Sequence, residues 1–71
     1  MKVLHETGRE VLVGDWLAIK DYKGRTHRYE VIEFEALMVR VVEHTVKEGR
    51  EQRYLWAIPY HKLGLRTPYV E

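Results

Sequence analysis

The stretch from Tyr29 to Val42 reads Tyr-Glu-Val-Ile-Glu-Phe-Glu-Ala-Leu-Met-Val-Arg-Val-Val and is the longest apolar-rich run in the chain. Its reading decides the fold. The density of β-branched residues and the alternation of apolar with charged side chains specify strand rather than helix. Tyr29 and Val31 share a face until the apolar phase slips at Ile32, the signature of a bulge or of a strand buried on both sides. Glu35 and Ala36 make a tight connection, and Leu37 to Val46 resumes as a strand. Leu37, Val39 and Val41 then fall on one face, Met38 and Val42 on the other.

Every other apolar run reads as a partner strand for this one. On the N-terminal side, Met1 to Arg9 is a polar lead-in with at most a strand fragment, closed by a turn at Gly8. Glu10 to Val13 runs into a kink at Gly14 and Asp15, and Trp16 to Ile19 continues beyond it. Asp21 to Gly24 is a turn by composition and leads into the strand Arg25 to Phe34. On the C-terminal side, Lys47 to Arg50 is a glycine-centred turn before the strand Glu51 to Ile58, in which Tyr54, Trp56 and Ile58 alternate with Leu55 and Ala57. Pro59 cannot donate to a ladder and ends that strand. Tyr60 to Leu63 suits a single 3₁₀ turn, and Gly64 to Val70 is expected as a last, short edge strand. The class is all-β, a single domain over residues 1–71, with five strands in a small barrel and a 3₁₀ turn before the last strand.

Composition bounds what such a domain can be. At 71 residues the chain holds one modest core. It has no cysteine, so neither disulfides nor thiolate metal sites reinforce it, and self-association is the expected aid to stability. Twelve Lys and Arg against 11 Asp and Glu neither demand nor exclude a nucleic-acid partner. No signal-peptide core and no membrane-length apolar run is present in this sequence, and a cytoplasmic location without membrane association is the expectation.

The layout of five strands with a 3₁₀ turn before the last is that of SH3-like and Sm-like barrels, and one stretch resembles the Sm family directly. Gly24 to Met38 is similar to the first Sm motif, with a turn glycine at 24, Val31 and Ile32 in the strand, Glu35 after it and Met38 beyond. Tyr54, Ala57 and Ile58 resemble the Tyr-x-x-Ala-Ile segment of the Hfq branch. The resemblance implies a barrel that assembles into rings by pairing its fourth strand with the fifth of a neighbour, and that binds single-stranded RNA. The departures fall on the RNA-contacting positions. Tyr29 replaces the strand glycine of the family, Val39 the loop asparagine, and Leu55 and Trp56 the Lys and His of Hfq; Pro59 and Tyr60 stand where an Arg-Gly pair is usual.

Residues for chemistry are few. There is no serine and no cysteine, which removes the common nucleophiles, and His5, His27, His44 and His61 show no metal-ligand spacing. Glu30, Glu33, Glu35 and Glu43 alternate with apolar residues in the manner of a solvated strand face. A non-enzymatic module without cofactor or metal is therefore expected. Its candidate nucleic-acid site is the loop after the fourth strand, formed by Tyr60, His61, Lys62 and Arg66, with Tyr60 stacking on a base and Lys62 and Arg66 neutralising phosphates. The other reading of that loop has Tyr60 packed over the barrel end and the cations solvated. Trp56, Leu65 and Tyr69 are candidate interface residues; of Trp16 and Trp56, one is expected in the core and one at an interface. The alternative function is an SH3-like adaptor that binds another protein, in transcription or of mobile-element origin.

Overall fold

The structure, a computed structural model, describes residues 2–66. It is all-β, with seven strands and one 3₁₀ turn: β1 (Val3–His5), β2 (Glu10–Val11), β3 (Trp16–Lys20), β4 (Thr26–Phe34), β5 (Met38–Lys47), β6 (Arg50–Pro59), the turn Tyr60–Leu63, and β7 (Leu65–Arg66). They form two antiparallel sheets, ordered β2-β1-β7 and β3-β4-β5-β6. The expected single closed barrel of five strands gives way to these two sheets, because among the described residues no ladder joins β6 to β7.

The strand count rises for a local reason. Gly14 takes φ +95°, and a turn closed by Asp15 N–H donating to the Leu12 carbonyl (3.0 Å) splits one predicted strand into β2 and β3. The Asp15 carboxylate accepts from Leu12 N–H (2.9 Å) and fixes the corner. The chain thereby leaves the small sheet and enters the large one, where Gly14 and Asp15 still bond to Val31. Val3 to His5, expected as no more than a fragment, becomes β1 because both β2 and β7 pair with it.

Elsewhere the alternation holds. The ladder between β4 and β5 shifts between Val31 and Glu33, so Ile32 is the bulge that the phase slip signalled. Val31, Val39 and Val41 face inward and are fully buried. They pack with Val3, Val11, Leu17, Leu63 and Leu65 between the two sheets. Leu37 leaves the predicted alternation: it lies in the exposed turn that Glu35 N–H closes onto the Met38 carbonyl. The 3₁₀ turn plugs one end of the core. Tyr60 is only 4% exposed, its ring lies over Phe34 with centroids 6.4 Å apart, and its hydroxyl donates to the Glu35 carbonyl.

β5 and β6 are joined by the shortest kind of hairpin, Lys47 pairing with Arg50 across Glu48 and Gly49. Both loop residues have positive φ, +54° and +76°, as the strand twist demands of a two-residue loop. Glycine adopts that backbone freely; glutamate does so at a cost of about 1–2 kcal/mol. Glu48→Asn keeps the turn and relieves part of that cost, so it should stabilise the protein by roughly 0.5–1 kcal/mol in a denaturant titration. A loss of stability in that variant would show that Glu48 holds the turn through its side chain.

Candidate functional site

The two sheets differ in length, and the site follows from that difference. The small sheet and the 3₁₀ turn cover one end of the large sheet's inner face. Beside that cover, inward-facing residues of β3 to β6, together with Lys62 and Leu63 of the 3₁₀ turn, line an open concavity of about 450 Å³. Its walls are Ile19, Tyr29, Trp56, Ile58, Pro59 and Leu63. Asp21, His27, Glu43 and Lys62 supply the charges.

Register brings the three acid–base groups together. His27 pairs with Ile19 across β3 and β4, and Glu43 pairs with Tyr29 across β4 and β5. Both therefore point to the inner face with Tyr29. His27 Nδ1 lies 2.7 Å from Glu43 Oε2, and Nε2 lies 2.9 Å from Asp21 Oδ2. Ionised carboxylates only accept hydrogen bonds, so both ring nitrogens donate and His27 is an imidazolium. Its pKa is raised by the bond to Asp21 first and Glu43 second, while the same bond to His27 is the leading cause that holds Asp21 low. Glu43 is a buried charge, and the Trp56 indole N–H also donates to it, at 2.9 Å. A charge removed from water needs such partners, and Glu43 has one on each oxygen. Tyr29 lies parallel to the His27 ring, centroids 6.1 Å apart; burial first, and then Glu43 and Asp21, raise its hydroxyl pKa.

The residues expected to contact nucleic acid are not all available. His61, Lys62 and Arg66 are exposed around the 3₁₀ turn, and the Arg66 guanidinium donates to the Glu6 carbonyl (3.2 Å). The Tyr60 ring is buried in the core in this conformation, as the packing reading of that residue expects. Leu65, expected at an interface, is 3% exposed and packs in the same core. Trp16 and Trp56 were divided between core and interface, yet both are about half exposed, at 53% and 50%. Trp16 rests on His44 of the outer face, with centroids 4.4 Å apart. Tyr69 and the rest of the expected strand beyond Arg66 lie outside the described residues.

Asp21, His27 and Glu43 escaped the sequence reading although a signal was present. His27, Tyr29 and Val31 are in phase, as are Val39, Val41 and Glu43, so the alternation that found the core also marks two inward ionisable groups. No group of His, Asp and Glu among the described residues is arranged to hold a metal ion. No described helix is long and apolar enough to cross a membrane. No family model, curated protein or solved structure matches this chain.

The ion-pair chain gives stability a defined pH dependence. A histidine whose native pKa is raised stabilises the fold fully below its unfolded value of about 6.5, and that contribution is lost as pH rises through the native value. Asp21, held low, contributes above 3.8 and loses its contribution as pH falls below that. The melting-temperature gap between wild type and His27→Gln should thus be widest near about pH 5–6 and narrow toward about pH 9. A gap that stays constant over that range would mean that His27 contributes by packing alone.

Proposed function

We propose that this chain is a non-enzymatic binding module of the Sm-like, SH3-like barrel type that assembles edge to edge and binds single-stranded RNA. The observation that supports it most is the free edge of β6. Among the described residues, Arg50–Pro59 pairs only with β5, leaving one side of a ten-residue strand without partners. Tyr54, Leu55 and Trp56 are exposed along it. Long, apolar edges of that kind template the addition of another strand. β7 likewise pairs only with β1 and ends its sheet. Joining β6 of one copy to β7 of the next pairs the described β7 with part of the β6 edge, and a head-to-tail contact that repeats closes into a ring when its rotation permits.

His61, Lys62 and Arg66 are the groups offered to phosphates, repeated once per copy so that weak contacts add through avidity. Light scattering on a sizing column, with absorbance at 260 and 280 nm, should give a closed oligomer that carries nucleic acid. Lys62→Ala combined with Arg66→Ala should weaken binding of a single-stranded RNA and lower the slope of log affinity against log salt by about 1.4, for two phosphates at about 0.7 each. Unchanged affinity and slope would remove the loop from the RNA site. A second reading, supported by the same exposed residues on β6, is an adaptor that takes an extended strand of another protein there. A clean monomer without nucleic acid would favour it.

A further inference from the structure

The concavity beside β6 holds charges at Asp21, His27 and Glu43 that the RNA reading, which draws only on Lys62 of its lining, does not use. Two carboxylates and one imidazolium leave one net negative charge at Asp21, His27 and Glu43, within the part-buried network. Lys62, exposed on the same lining and without an ion-pair partner among the described residues, adds one positive charge. The site is therefore dipolar, and a ligand that matches it carries both signs.

The acceptors narrow the cationic end. Asp21 Oδ1 accepts from Lys23 N–H and Arg25 N–H, both at 2.9 Å, and Oδ2 from His27. Glu43 Oε1 accepts from Trp56 and Oε2 from His27. These five donors take five of the roughly eight lone-pair sites on the two carboxylates, so a primary ammonium would have to share oxygens that already accept. A quaternary ammonium has no N–H donors to satisfy and is held instead by aromatic faces and a nearby net negative charge. Trp56, pinned by its N–H to Glu43 and half exposed, offers such a face, and Tyr29 and Ile58 lie on the same wall. The volume of about 450 Å³ lies within the range of small-molecule sites, roughly 300–1,000 Å³.

We infer that the inner-face concavity binds a small, free zwitterion, its quaternary ammonium against Trp56 and Tyr29 and its carboxylate or phosphate toward Lys62. Phosphocholine is the probe, with phosphoethanolamine, choline and inorganic phosphate as controls. The Trp56 indole N–H resonance reports on the wall, whereas RNA binding is read from its salt dependence, so the two sites are scored separately. Phosphocholine should shift that resonance saturably, and inorganic phosphate should not. Phosphoethanolamine should bind roughly 2- to 30-fold more weakly, the span of a cation–π contribution. Lys62→Ala, a change at an exposed position, should reduce the affinity for phosphocholine to that for choline. Trp56→Phe should retain binding and Trp56→Ala should lose it, both followed by calorimetry because neither variant has the Trp56 indole resonance. A folded wild-type protein whose Trp56 resonance does not respond to millimolar phosphocholine would overturn the inference. So would an equal response to inorganic phosphate.

Discussion

Unequal strand length governs this molecule. β5 and β6 are ten residues each, about 33 Å of extended chain, whereas the strands of the covering sheet are two or three residues long and span about 10 Å or less. A short layer cannot bury a long one. The result is a body 45 Å long and about 20 Å across, with its core at one end and an open sheet face at the other. Where the layers overlap, valines and leucines fill the space. Where they do not, the inward positions carry Tyr29, Glu43, Tyr54 and Trp56, residues that tolerate both a protein neighbour and water.

The uncovered half needs another source of order, and the acid–base chain provides one. His27 ties the turn at Asp21 to the middle of β5, and Glu43 extends the tie to Trp56 on β6, so a single network joins the β3–β4 turn to the three strands β4, β5 and β6. The same arrangement leaves the outer edge of β6 without a ladder among the described residues. Two open surfaces thus share one cause, and the proposed assembly edge and the proposed ligand site lie side by side on β6.

Much of the fold was legible because period-2 alternation survives wherever a strand has one buried face. It located β3 to β6, the bulge at Ile32, the stop at Pro59 and the 3₁₀ turn. It missed the division into two sheets, since that depends on a corner at Gly14 and on which strands β1 recruits, and neither is a local property. The burial of Tyr60 was not legible, because a loop aromatic reads the same whether it plugs a core or faces solvent. The network around His27 was missed for a different reason. Acids alternating with apolar residues look solvated until their phase is compared with that of the core valines.

The most direct test of the edge-to-edge assembly is amide hydrogen exchange along Arg50–Pro59, followed as protein concentration is raised. Assembly through β6 is expected to slow the amides that β5 does not bind, in step with the rise in solution mass. Growth in mass without protection of β6 would contradict it and place the contact elsewhere.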